Sequence, residues 1–349
     1  MDAEALKLYR YDGKNPFADS QGRNFSDVKI QKEFFATSKF WTLFNENHEI
    51  LIGARGSGKT FLLKMMRRSM LKNVNSEMAK EVVDKKLFYS LYIPMFMESI
   101  TALLDKDIPE DRSIMLFKFV FNSILAESLL EELKSCLDEI QDQAMRLEKN
   151  NELANKIGMI WYQNRSHDFF DLDDLATELR TVIYNFDYVN DEINKIPTIF
   201  KREIAAPLIA VKANIMSILS IPSEATWILC VDEAEFIPER FQKCLNSFMR
   251  SSTNGIALKI GTLPFYWKTL DTLDGENKIS QENDFNYQIL DMTSEETDFV
   301  ALTNTLCHHR LMQLSDIEIN VDSLEEFVGQ VGNDKLIDYY RNIVGEKKH

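Results

Sequence analysis

The sequence predicts an α/β fold, a mostly parallel sheet flanked by helices, with a large helical insertion and a short helical C-terminal region. Three observations carry that reading. Short apolar runs alternate along the chain with segments of helical period, the order that builds parallel sheets. One of these runs, Trp227-Ile228-Leu229-Cys230-Val231, has no polar member, as expected of a strand covered on both faces. Another, Ile50-Leu51-Ile52, leads into a glycine cluster and then a helical pattern from Phe61 to Leu71, which reads as strand, loop, helix.

Taken in order, residues 1–47 are polar with aromatic punctuation, and a short helix is expected over Ser38 to Phe44. Leu87 to Ile93 is rich in aromatic and β-branched residues and stops at Pro94, which predicts a strand. From Arg112 to about Met145, the residues Ile114, Phe117, Phe121, Ile124, Leu129, Leu133, Cys136 and Ile140 follow the spacing of one long amphipathic helix. Its default role is packing within its own domain. A second helix is expected over Asp171 to Phe186, and a third helical region over Lys195 to Ser220, interrupted at Pro207. The run ending at Val231 continues into Asp232-Glu233-Ala234-Glu235, then a helix from Pro238 to Arg250. Strands are expected at Ile256 to Ile260, ending in Gly261-Thr262, and at Phe285 to Leu290, with two or three helices over 295–349. This places one domain at 1–292, with a helical insertion at about 100–222, and a helical C-terminal region at 293–349.

A chain of 349 residues, 45% of them hydrophobic, can bury a sizeable core. Acidic residues outnumber basic ones by 55 to 40, giving a net charge of −15. A protein that coats nucleic acid needs the opposite balance, although a local basic groove stays compatible with this one. Cys136, Cys230, Cys244 and Cys307 show no CxxC spacing, which reads as reduced thiols rather than a disulfide framework. The opening Met-Asp-Ala-Glu lacks the basic-then-apolar character of a secretory leader. The apolar stretch from Leu208 to Ile221 is broken by Lys212 and Asn214, so no bilayer span is expected. The expected location is the cytoplasm.

The glycine cluster carries the chemistry. Gly53-x-x-x-x-Gly58-Lys59-Thr60 has complete phosphate-loop spacing, a pattern expected by chance in roughly one chain in a hundred of this length. Glycines let the backbone turn tightly and aim successive N–H groups at phosphate oxygens, and the helix that follows adds its positive end. The loop from Gly53 through Ala54, Arg55, Gly56, Ser57 and Gly58 to Phe61 is therefore the candidate ATP cradle. Lys59 would sit on the β- and γ-phosphates, and the Thr60 hydroxyl would ligate Mg²⁺. Arg55 would touch a phosphate or an adjacent carboxylate.

The acids after the apolar strand complete the set. If that strand lies beside the loop's strand, Asp232 reaches the Mg²⁺ shell and Glu233 orients and deprotonates the attacking water. Glu235 reads as a charge at a helix N-terminus. Thr262 either bonds the γ-phosphate or the attacking water, or closes a strand-end turn. Arg250 either complements its helix end or reaches a neighbouring subunit's nucleotide as a catalytic arginine. His308 and His309 beside Cys307 lack a second ligand pair and read as a helix face rather than a metal site.

The order of loop, helix, strand, helical insert, Trp227 to Glu235, helix, and strand ending in Gly261-Thr262 resembles the AAA+ ATPases. The stretches 43–60 and 228–236 are more closely similar to the prokaryotic origin-recognition and initiator branch, near the STAND switch ATPases. The resemblance covers about residues 35–72 and 225–292. It implies an ATPase with Gly58, Lys59 and Thr60 as phosphate and metal cradle, Asp232 and Glu233 as metal and water partners, and Thr262 as phosphate sensor. Many ATPases of this kind sit in bacterial anti-phage operons. The implied function is a Mg²⁺- and ATP-dependent switch that assembles with itself or with an effector protein. The alternatives are a non-hydrolysing ATP-dependent scaffold and a nucleic-acid remodeller or loader. The stretch after the last strand is too short for a complete lid plus a winged-helix domain.

Overall fold

The computed structural model describes residues 26–290, apart from 35, 37, 105–107, 164–167, 189–190 and 252–254. The expected helices at 295–349, with Cys307, His308 and His309, lie outside the described residues. The chain divides into two compact units, Met1–Phe35 with Met292–His349, and Ala36–Asp291. The first contributes the helix α1, Asp27–Glu33; all that follows concerns the second.

That unit begins with α2 (Ser38–Trp41), β1 (Glu49–Ile52), α3 (Lys59–Met65), α4 (Arg68–Leu71) and α5 (Glu77–Lys85). It continues with β2 (Phe88–Pro94), α6 (Met97–Ala102), α7 (Glu110–Leu137), α8 (Gln143–Trp161), α9 (Leu172–Tyr184) and α10 (Ala206–Leu219). It ends with β3 (Thr226–Asp232), α11 (Glu239–Ser251), β4 (Ile256–Thr262) and β5 (Asn286–Ile289). The five strands form one sheet in the order β2-β3-β4-β1-β5, every pair parallel. All seven residues of β3 and of β4 are buried, as the unbroken apolar run foretold for β3.

One expectation is corrected by this order. The strand bearing Asp232 does not lie beside the phosphate-loop strand; β4 stands between β3 and β1, so Gly261 and Thr262 separate the loop from the acids. The two strands stand two spacings apart, about 9.6 Å, and side chains from α3 and β3 meet over β4 at Gly261.

The helices depart from expectation where polar residues cap them. The pattern from Phe61 to Leu71 is two helices, because Arg67 leaves helical geometry at φ −62°, ψ 138°. Arg68 can then fork onto Glu139 at 2.7 and 3.0 Å. The long helix from Arg112 ends at Leu137 rather than near Met145. The Asp142 carboxylate accepts the N–H groups of Ala144 and Met145 and starts α8, a helix whose polar first half hid it from the sequence reading. Pro207 does not interrupt a helix but opens α10 in its first turn, where proline has no N–H to lose. Helix α7 alone among the described helices has the length and hydropathy of a membrane span, but 72% of its most apolar window is buried in the protein. It is a core helix: Phe117 stacks on Phe241 of α11 at 4.7 Å, and Asn122 ties it to the carbonyls of Phe200 and Glu203 and the N–H of Ala205.

A titratable group sits just ahead of β1. Nδ1 of buried His48 accepts the Leu258 N–H at 3.0 Å, which requires an unprotonated ring nitrogen. Burial first, and the Lys259 charge second, hold its pKa down at about 4. Unfolded, the ring protonates near 6.5, so between about 4 and 6.5 the unfolded chain binds more protons, and stability falls as pH drops through that window. The expected loss is roughly 3 kcal/mol across it. Urea midpoints at about pH 7.5 and about pH 5 should differ less in His48→Asn, whose amide oxygen accepts the same N–H without titrating. Equal pH dependence in both proteins would refute this.

Candidate nucleotide-binding site

The loop is built by glycine where no other residue fits. Gly56 and Gly58 take φ of +85° and +86°, the left-handed region that a side chain strains. At Gly53 a Cβ would stand 2.3 Å from Ser57 Oγ. The loop is pinned by the Gly53 N–H to the Thr262 carbonyl and by the Ser57 N–H to the Ala54 carbonyl. It delivers the chain into α3, whose first residue is Lys59. Ala54, Arg55 and Gly56 are exposed at the tip, whereas Ser57, Gly58, Thr60 and Phe61 are half-buried.

Lys59 is buried, and its ammonium donates to the Gly53 carbonyl at 2.6 Å and the Ala54 carbonyl at 3.1 Å. Burial lowers its pKa; the Glu235 and then the Asp232 carboxylates oppose that, and Arg55 adds to it. Two carboxylate charges thus act on one cation. The convergence is clearest at Gly261, where a Cβ would meet Leu63 Cδ1 at 2.9 Å, Asp232 Oδ1 at 3.4 Å and Lys59 Cβ at 3.7 Å. Glycine there lets α3 lie directly on the sheet and sets Lys59 and Asp232 around one point.

Asp232 is 1% exposed and fully oriented. The Tyr92 hydroxyl donates to Oδ2 at 2.7 Å, and the Glu233 N–H donates to Oδ1 at 2.9 Å. Burial, followed by the Asp232 charge, drives the Tyr92 pKa far up, so the phenol keeps its proton and remains a donor. Lys64 and Arg67 stand 5.5 and 5.7 Å from the centre of the same ring, which ties the far end of α3 to the acid's corner. Glu233, half-buried, sits at φ +57°, a left-handed backbone that costs a non-glycine residue about 1 kcal/mol or more. Thr262 is fully buried with its hydroxyl unpartnered, an open acceptor and donor at the end of β4.

Lys59, Asp232, Gly261 and Thr262 therefore come together. Arg250 does not join them. Helices between parallel strands run back along the sheet, so the last turn of α11 lies at the end opposite the loop. There Arg250, half exposed, pairs with Asp284 at 3.0 Å. Sequence reasoning missed Tyr92, whose only signal was an aromatic hydroxyl two residues before the end of β2, in register beside Cys230. It also set Glu235 at a helix start; the structure holds it in a 3₁₀ turn, Ala234–Phe236, ahead of α11.

Comparison with known proteins agrees with this geometry. No curated protein and no solved structure gives a significant match. The ORC-CDC6-like family model, however, matches residues 15–349. With an all-parallel sheet and a phosphate loop beside an oriented acid, the chain belongs to the ORC-CDC6-like family, and is an AAA+ protein of the origin-recognition and initiator type.

Proposed function

We propose that this chain binds ATP with Mg²⁺ and hydrolyses it, acting as a switch whose nucleotide state drives self-assembly or activates a partner protein. The observation that supports this most is the meeting of Lys59, Asp232 and Leu63 around Gly261, with the unpartnered Thr262 hydroxyl beside it. In this reading the loop from Gly53 to Phe61 cradles the phosphates with main-chain N–H groups other than those of Gly53 and Ser57, which pin the loop, and Lys59 neutralises the β- and γ-phosphates. The residues fit Mg²⁺. Asp232 offers a carboxylate fixed by Tyr92 and by its own chain, with the Thr60 hydroxyl on the helix that Gly261 admits. Among the described residues no three His, Cys, Asp or Glu side chains could hold a metal alone, which suits an ion that takes most of its ligands from phosphate and water. Bound there, Mg²⁺ supplies positive charge to the phosphate oxygens during transfer. Glu233 orients the attacking water and Thr262 senses the γ-phosphate.

The assignment of residues 1–292 to the ATPase domain, with its insertion at about 100–222, and of 293–349 to a partial lid belongs to the same proposal. So does a cytoplasmic setting in anti-phage defence, for which the family resemblance is the support. For Arg250 only a role in trans is compatible with its place, and it would have to leave Asp284. The acidic balance of the chain, −15, weighs against a nucleic-acid loader.

Glu233→Gln keeps shape and hydrogen bonding but removes the base. ATP binding should persist while phosphate release falls by about a hundredfold or more, measured by calorimetry and a phosphate-release assay. Unchanged turnover would remove Glu233 from the mechanism. Wild-type protein that binds ATP and never releases phosphate would favour the scaffold reading.

A further inference from the structure

Asp232 is held from three sides by its own chain. Its main-chain carbonyl accepts the Met95 N–H at 3.0 Å. Its Oδ1 accepts the Glu233 N–H at 2.9 Å, and its Oδ2 accepts the Tyr92 hydroxyl at 2.7 Å. The short distance and the ionised acceptor make the last of these a strong hydrogen bond. Each carboxylate oxygen therefore carries a donor already, and the carboxyl plane cannot turn without breaking one of the two bonds.

The strand register explains why that hydroxyl belongs to a tyrosine. Tyr92 stands opposite Cys230, and Asp232 stands opposite Pro94. The phenol thus starts two residues behind the acid, about 6.6 Å of strand rise, on the same face of the sheet. A serine or threonine at this position would fall short. The ring is steadied by Lys64 and Arg67, 5.5 and 5.7 Å from its centre, and its neighbour Cys230 packs its sulfur against that of Met66 at 3.8 Å. A carboxylate so held suits one kind of ion better than another. Ca²⁺ takes more oxygens at longer range and often chelates through both oxygens of one carboxylate. Mg²⁺ demands near-ideal octahedral order, keeps several waters and meets few carboxylates. With a donor on each oxygen and its plane fixed, Asp232 offers a single short contact, direct or through water, and opposes chelation.

We propose that Tyr92 is a positioning residue which, by fixing the Asp232 carboxylate, sets the preference of this site for Mg²⁺ over Ca²⁺; this rests on the ATP and Mg²⁺ reading above. Tyr92 acts through the carboxylate and not on the nucleotide. Without its hydroxyl, Oδ2 regains a lone pair and the carboxyl group can turn about the one bond left, from the Glu233 N–H. That freedom loosens the ligand geometry the smaller ion requires and admits chelation of the larger one.

The test uses Tyr92→Phe, which keeps the ring and removes the hydroxyl. ATP affinity is measured by calorimetry across a series of Mg²⁺ and, separately, of Ca²⁺ concentrations, with the melting temperature of the nucleotide-free protein beside it. Wild type should reach half of its full ATP affinity at less Mg²⁺ than Ca²⁺. In Tyr92→Phe the Mg²⁺ requirement should rise about ten- to a hundredfold and the Ca²⁺ requirement no more than about threefold, so that the preference narrows or inverts. A residue that only fills space would move both ions alike. Equal shifts for the two ions, or none, overturn the proposal, as does a wild type without a preference for Mg²⁺. A Tyr92→Phe protein that does not fold marks the hydroxyl as structural and overturns it too. Wild-type ATP binding that ignores divalent ions removes the metal reading and this role, and leaves the ATP site standing. Wild-type protein that does not bind ATP at all removes the ATP reading with both.

Discussion

Replacing Lys59 by alanine should weaken ATP binding roughly a hundred- to thousandfold. Removing one partner from a buried charge pair costs about 3–5 kcal/mol, and each 1.4 kcal/mol is about tenfold in affinity. The variant leaves the phosphates beside the Asp232 carboxylate with their main counter-charge gone. The nucleotide-free protein should feel the change far less. Lys59 gives up its bonds to the Gly53 and Ala54 carbonyls, worth about 1 kcal/mol each, but the cost of holding a desolvated ammonium disappears with them. Calorimetry at matched Mg²⁺, with a melting curve beside it, separates the two effects. Wild-type affinity in Lys59→Ala would overturn the assignment of the loop.

Gly261→Val should damage fold and site together. The first added carbon already comes within 2.9 Å of Leu63 and 3.4 Å of Asp232, and the two methyls beyond it have no space in a fully buried strand. Overpacking of this kind costs about 1–3 kcal/mol. The displaced element is α3, which carries Lys59 and Thr60. ATP binding should therefore fall at least about tenfold even at temperatures where the variant is fully folded. Gly275→Ala is the control. Its φ is +72°, yet nothing lies within 4 Å of the added carbon, so it should lose about 1 kcal/mol to backbone strain and keep its affinity. Urea unfolding followed by calorimetry reads both variants. Normal ATP affinity in folded Gly261→Val would show that α3 does not need its seat on β4.

The strands were legible because their signals are local. Five segments rich in apolar or β-forming residues end where glycine, proline or acid punctuates them, and each holds a strand of the sheet. The phosphate loop was legible for the same reason, its chemistry being confined to eight consecutive residues. What escaped depends on partners distant in sequence. Nothing near Tyr92 announces that its hydroxyl meets Asp232, which lies 140 positions away, and the order of the sheet depends on which strands find each other across the insertion. The boundary between α7 and α8 was lost to a polar stretch whose single useful sign, the cap at Asp142, competes with an otherwise helical composition. Arg250 was a candidate by position in a list of elements; only the direction of α11 along the sheet shows at which end that arginine stands.

The strand order also has a consequence for how the protein comes into being. β1 leaves the ribosome early, but its two neighbours are β4 and β5, and the bond from Leu258 to His48 spans 210 positions. Until those strands are made, the phosphate loop hangs from an unpaired strand, and Leu63 and Met65, both buried in the finished protein, have no sheet to cover. The insertion helices can pack locally in the meantime; contacts that span long stretches of chain form late, and apolar surface awaiting them invites wrong associations. A nascent chain that stops short of residue 256 carries the whole loop motif without the strand that seats its helix. On the proposed ATP-binding reading, the nucleotide cannot rescue a translation product that ends before β4.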